Sequence, residues 1–155
     1  MVDLTDLPPS RQAELREAIE LFYFAYRSFT EPPDRILERR GLGRTHHRIL
    51  YFIHRQPDIS VQGLLKLLAV TKQALNAPLR QLIEMNLVAA ETAPEDRRFK
   101  RLRLTPEGQT LEQELTGVQM RLLQDAFAGA GATDSAGWRR IQALVAGRSP
   151  AAPVD

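Results

Sequence analysis

Apolar residues recur at three- and four-residue spacing along most of this chain, and at alternate positions in one short stretch only. The first pattern marks amphipathic helices, the second a half-buried strand. After Pro8 and Pro9, with Ser10 as a capping hydroxyl, Leu15, Ile19, Phe22, Tyr26 and Phe29 predict a long helix to about residue 29. Pro32 and Pro33 are expected to break it and to open a short helix through Arg40, stopped by Gly41 and Gly43. Thr45 then caps a helix containing Ile49, Leu50, Tyr51, Phe52 and Ile53, which is apolar on nearly every side and therefore central. Pro57 closes the turn after it, and Ile59 can begin a brief strand.

Two short helices follow. Ser60 caps the first, which carries Leu64, Leu65, Leu67 and Leu68 inward; Thr71 caps the second, with Leu75, Leu79, Leu82 and Ile83 on one face. Asn86 is a left-handed helix stop. Residues 87–92 and 100–105 predict the strands of a hairpin, and in the second Leu102 and Leu104 alternate with Arg101 and Arg103. Thr105 and Pro106 open a helix to about Phe127, striped by Leu111, Leu115, Val118, Leu122 and Ala126. A turn over residues 129–133 precedes a last helix capped by Asp134 and bearing Trp138, Ile141, Leu144 and Val145.

These elements predict a mainly α fold with a small β-wing. A winged helix-turn-helix module over residues 33–105 is joined to a helical dimerisation arm, residues 10–32 and 106–147, with a loose tail over 148–155. The stripes on the arm are longer than the winged core can cover, so a second copy is the expected cover.

At 155 residues and 43% hydrophobic, the chain is long enough for one such domain with a real core. It has no cysteine, which excludes disulfides and thiolate metal sites. No segment is apolar for long enough to be a signal peptide or membrane span, so no membrane partner is expected and a cytoplasmic location is.

The small net charge of +2 conceals a local patch. Between residues 60 and 105, Lys66, Lys72, Arg80, Arg97, Arg98, Lys100, Arg101 and Arg103 face Glu84, Glu91, Glu95 and Asp96, a local net of +4. Such a patch can neutralise phosphates and release their counterions; alternatively it keeps an edge hairpin from aggregating. The polar face of the second short helix carries Lys72, Gln73, Asn76 and Arg80. Gln and Asn can pair with adenine edges, and Lys and Arg with guanine edges or phosphates.

Other chemistry is sparse. His47 and His54 stand two turns apart on one helix, too far for joint ligation, and no H-x-x-x-H occurs, so neither metal nor cofactor is expected. No nucleophile stands with a base in a recognisable motif, and there is no glycine-rich phosphate loop, which argues against an enzyme. The alternative to a DNA reader is a winged-helix adaptor that docks proteins, against which the basic wing argues.

Asp96, Arg98, Leu104, Thr105 and Gly108 form the pattern D-x-R-x5-L-T-x-x-G, in a hairpin after a helix-turn-helix and before a long helix. In this the chain resembles the MarR family of bacterial transcription regulators. The resemblance implies a homodimer whose first and last helices interlock and whose two winged modules read a near-palindromic double-stranded operator, most often as a repressor. It implies that Arg98 enters the minor groove, with Asp96 bracing the wing; Arg97 and Lys100 beside it are expected to neutralise phosphates. Thr71, Lys72, Gln73, Asn76 and Arg80 would work in the major groove. Pro78, inside the reading helix, departs from this pattern and predicts a kink. The resemblance further implies a small aromatic or anionic effector between arm and module, for which Tyr23, Tyr26, Arg44, His46, His47, Arg48 and Tyr51 are the candidate lining.

Overall fold

The chain runs, after a 3-10 turn at Leu4–Asp6, through α1 (Pro9–Glu38), α2 (Arg44–Arg55), β1 (Ile59–Ser60), α3 (Val61–Leu68), α4 (Lys72–Glu84), β2 (Val88–Thr92), β3 (Lys100–Leu104), α5 (Pro106–Ala130) and α6 (Ala132–Ala146). This computed structural model describes residue 1 and residues 3–149; most of the expected loose tail, 150–155, lies outside the described residues. The sheet is antiparallel in the order β1-β3-β2, with Ile59 opposite Leu102 and Val88 opposite Leu104. No described helix is long and apolar enough to cross a membrane.

Four sequence expectations about helix ends are corrected. α1 begins at Pro9, with Pro8 rather than Ser10 in the cap position, and it continues unbroken through Pro32 and Pro33 to Glu38. Pro33 cannot donate to the Phe29 carbonyl, but Gln119 of α5 reaches across and donates to it from Nε2 at 3.2 Å, while the Pro33 ring is buried. Ser28, whose carbonyl Pro32 leaves free, is exposed to water. α2 starts at Arg44 after Gly43, whose N–H donates to His46 Nδ1 at 2.9 Å; Thr45 lies inside the first turn. α6 starts at Ala132 rather than after Asp134, because Gly131 at φ +94° turns the chain within one residue.

The other caps agree with the sequence. Ser60, Thr71 and Thr105 each accept the N–H three residues on, and Asn86 adopts φ +57°. α4 passes through Pro78 without interruption.

One core unites the winged module. Leu37, Ile49, Leu50, Ile53, Leu64, Leu75, Leu82, Leu87, Leu102, Leu111 and Leu115 are fully buried together. Leu111 and Leu115, expected in the dimer stripe, thus belong to this core, because α5 is pinned against the hairpin at its start. Thr105 donates its N–H to Leu87 O and its hydroxyl to Asn86 O, and a Cβ on Gly108 would stand 1.9 Å from Leu87 O. Only glycine permits that approach. Ile83, expected inward, is exposed, since it lies beyond the edge of the buried Leu75, Leu79 and Leu82 face.

The arm differs. Ile19, Phe22 and Phe24 of α1 are more than half exposed, as are Ile141, Leu144 and Val145 of α6. Within the chain α6 is held to α5 in part by Trp138 against Phe127, with ring centres 5.4 Å apart.

Candidate nucleic-acid interface

α3 and α4 are joined by a turn in which Ala69 takes a left-handed conformation, φ +53°. α4 is then fixed from within by Leu75, Leu79 and Leu82, which leaves Lys72, Gln73, Asn76 and Arg80 exposed on its outer side. The Thr71 hydroxyl accepts the Ala74 N–H at 3.1 Å, so its first task is to start the helix.

Between α4 and the wing lies a groove of about 320 Å³. Val61, Leu79 and Leu102 are among its apolar lining; Asn76 and Arg80 come from the helix side and Lys100 from the strand side. The structure therefore brings Asn76, Arg80 and Lys100 together.

The wing's charges are partitioned in a way the sequence count did not reveal. Asp96 accepts both the Arg98 backbone N–H, at 3.0 Å, and the Arg98 guanidinium, at 2.8 Å from Nη2. These bonds hold the Asp96 carboxyl below its usual range. Arg101 donates to both oxygens of Glu95 at 2.6 and 2.7 Å, and Arg103 is bidentate on Asp58, 2.8 Å from Nη2. The Asp58 carboxyl is held low by Arg103, that of Glu95 by its own backbone N–H and then by Arg101. Among the described residues, Lys72, Arg80, Arg97 and Lys100 form no ion pair.

A second cavity, of about 390 Å³, opens where α1, α2 and α5 meet. Tyr26, Arg44, His47, Arg48 and Tyr51 line it, as the sequence led one to expect. Tyr23 and His46 do not: Tyr23 is exposed on α1, and His46 is occupied in capping α2 and meeting Gln81 Oε1 at 2.9 Å. Asp34, Thr116 and Gln119 line it without having been foreseen. Their available signal was the polar series Glu112, Thr116 and Gln119 at helical spacing beside the leucines of α5.

The cations of this cavity are unequal. Arg44 donates from Nε to Asp34 at 2.8 Å and lies over the Tyr26 ring, 5.6 Å from its centre. Arg48 donates to the Tyr26 hydroxyl at 3.0 Å and, among the described residues, has no carboxylate partner. His47 is buried, which pushes its pKa down to about 4 against the opposing pull of Asp34. Thr116 spends its one hydroxyl proton on Glu112 Oε1 at 2.7 Å, so His47 must donate to Thr116 from Nε2, at 3.2 Å. Glu112, also buried, has His54 Nδ1 3.9 Å away on its other oxygen.

The sequence and the fold both have relatives. A sequence model described as the MarR family matches residues 40–98. The HTH-type transcriptional regulator PetP of Rhodobacter capsulatus is 44% identical over 128 residues, covering 83% of this chain and 77% of that protein. Streptococcus pneumoniae FabT, solved in complex with DNA, is similar in fold at a TM-score of 0.75 and 15% identity, over 84% of this chain and 94% of that one. Staphylococcus aureus MarR, solved with salicylate and kanamycin, matches at 0.67 and 23% identity, over 90% and 97%. With a winged helix-turn-helix core, the D-x-R hairpin and a regulator of this kind as a relative over most of its length, the chain belongs to the MarR family of transcription regulators.

Proposed function

We propose that the protein acts as a homodimer on near-palindromic duplex DNA, in the cytoplasm, as a repressor. The reading helices α4 enter two major grooves about one helical turn apart, and each wing reaches the adjacent minor groove with Arg98. The observation that carries this is the groove between α4 and the wing, with Asn76 and Arg80 on one side and the unpaired Lys100 on the other. Lys72 and Gln73 at the start of α4 extend the same polar surface. Gln73 and Asn76 read base edges, Thr71 and Arg80 contact the strand beside them, and Arg97 and Lys100 neutralise phosphates. Asp96 holds Arg98 in place at the wing tip. The DNA complex of FabT supports the choice of partner. Repression is the simpler regulatory outcome, since occupying a site suffices for it.

The cavity between α1, α2 and α5 takes a small aromatic acid in this reading. Arg48, with no carboxylate partner among the described residues, meets the acid group, and Tyr26 and Tyr51 meet the ring. The salicylate complex of the S. aureus protein is consistent with that chemistry. A ligand there acts only through a difference in affinity between the DNA-competent and incompetent spacings of the two modules, usually about 1 to 3 kcal/mol.

Selection of bound sequences from random duplex DNA, followed by salt titration, tests the reading. The expected result is enrichment of a two-fold symmetric site bound by two chains, with Arg98→Ala weakening binding and Asn76→Ala relaxing preference at particular positions by ~1 to 3 kcal/mol. Failure to enrich any site, with affinity insensitive to salt, would point instead to a protein-docking adaptor.

A further inference from the structure

The two faces of the wing carry different electrical burdens. Along β3, Lys100 and Leu102 line the groove with α4, and alternation puts Arg101 and Arg103 on the opposite face. That opposite face looks basic in the sequence. In the structure each of its arginines is already held by a carboxylate, Arg101 by Glu95 and Arg103 by Asp58, and Glu91 stands opposite Arg101 in the β2–β3 register. The face thus has two cations and three carboxylates, while the groove face has Lys100 and Arg80 without partners among the described residues.

We infer that Glu95 and Asp58 are specificity-determining residues that make the wing a one-sided DNA reader, by silencing the arginines on its outer face toward phosphate. A guanidinium neutralised by a neighbouring carboxylate has little counterion to release when a phosphate approaches, and the third carboxylate repels it; Arg98, though paired with Asp96, differs in standing 85% exposed at the wing tip, where it can reach a groove, against 38% for Arg101 and 56% for Arg103. Non-specific affinity, which any stretch of duplex can elicit, is thereby confined to the groove face where α4 also reads bases. Without these carboxylates the outer face becomes a second, sequence-blind phosphate site, and the discrimination between operator and bulk DNA falls. The ion pairs are exposed and therefore worth little as structural braces, which leaves their effect on charge as the larger consequence.

The inference rests on the duplex reading proposed above, and its test separates the two. Binding of a non-operator duplex is measured between 50 and 200 mM salt for the wild-type protein, for Glu95→Gln with Asp58→Asn, and for a fourfold variant that adds Arg101→Gln and Arg103→Gln to those two. Asparagine suits position 58, which has φ +72°; unfolding curves verify that all three are folded. Removing the carboxylates should steepen the salt dependence, adding roughly a threefold loss of affinity over that range for each arginine released. It should also narrow the ratio of operator to non-operator affinity. Substituting the arginines together with their carboxylates should restore the wild-type salt slope. A carboxylate variant with the wild-type slope, or a fourfold variant that keeps the steeper one, overturns the inference; a wild-type protein that binds no duplex overturns the proposed function instead. Should the double carboxylate variant be unfolded, Glu95→Gln alone, at an exposed pair, decides the matter by whether it adds the slope of one arginine.

Discussion

The winged module and the arm use similar apolar residues to opposite ends. In the module, the leucines of α2, α4, the hairpin and the first half of α5 are shielded almost completely by one another. In the arm, Ile19 is 69% exposed and Leu144 78%, though both stand on long regular helices. The module is therefore complete within one chain, and the arm is complete only with something laid against it. Exposed apolar surface of this kind marks an interface, and in the proposed homodimer a second copy would supply matching stripes from the same two helices.

The sharpest way to break this contrast is a charge placed in each region. Leu115→Asp puts an unpaired carboxylate into the module's core and should cost more than about 4 kcal/mol, enough to unfold the protein outright at any concentration. Ile19→Asp with Ile141→Asp places the charges on the exposed arm instead. Sedimentation should show that double variant as a monomer, with the helical content and cooperative unfolding of the winged module retained. A Leu115→Asp protein that stays a folded dimer would mean the core has been assigned to the wrong half of α5.

This division also explains what could be read from the sequence. Helices, wing and capping residues follow from local chemistry, and Ser60, Thr71, Asn86 and Thr105 each do what their side chains dictate. Where Ser10, Thr45 and Asp134 failed as caps, a neighbour in the chain, Pro8, Gly43 or Gly131, took the position; the other errors fall where a distant group intervenes. Pro33 looked like a break because nothing local replaces its missing donor, and Gln119 lies 86 residues on. Leu115 looked like interface because α5 has one continuous stripe, and only the fit of Gly108 against Leu87 decides which half is inward. The wing's basic residues were legible as a patch, whereas the pairing of Arg101 with Glu95 and of Arg103 with Asp58 depends on how the wing loop folds back and how β1 meets β3. Tyr26, Arg44, His47, Arg48 and Tyr51 were found because they cluster on two helices; Thr116 and Asp34 required knowing how α5 and the end of α1 pack.

His47 sits at the seam between the two regions, and acid should loosen it. Its folded-state pKa of about 4 lies below the ordinary 6.5, so between those values the unfolded chain holds the extra proton. Stability from this residue is present above pH 6.5 and is lost as pH falls toward 4, by roughly 3 kcal/mol at most. Urea midpoints measured at pH 7 and pH 4.5 should therefore diverge more for the wild type than for His47→Gln. Equal pH dependence in the two would mean that water reaches the imidazole in solution.

The smallest expected effect concerns the join where α1 leaves the arm and enters the module. If Gln119 stands in for the donor that Pro33 lacks, Gln119→Leu leaves the Phe29 carbonyl without its partner and should cost about 1 kcal/mol. Pro33→Ala restores a backbone N–H at the position from which a regular helix bonds Phe29. In that background Gln119→Leu should cost much less, because the carbonyl is satisfied from within the helix. The four proteins form a thermodynamic cycle whose coupling energy isolates the substitution of a side-chain donor for a backbone one. A coupling of zero would mean that Gln119 stabilises by lining the cavity, and that α1 tolerates Pro33 because the buried ring packs well there.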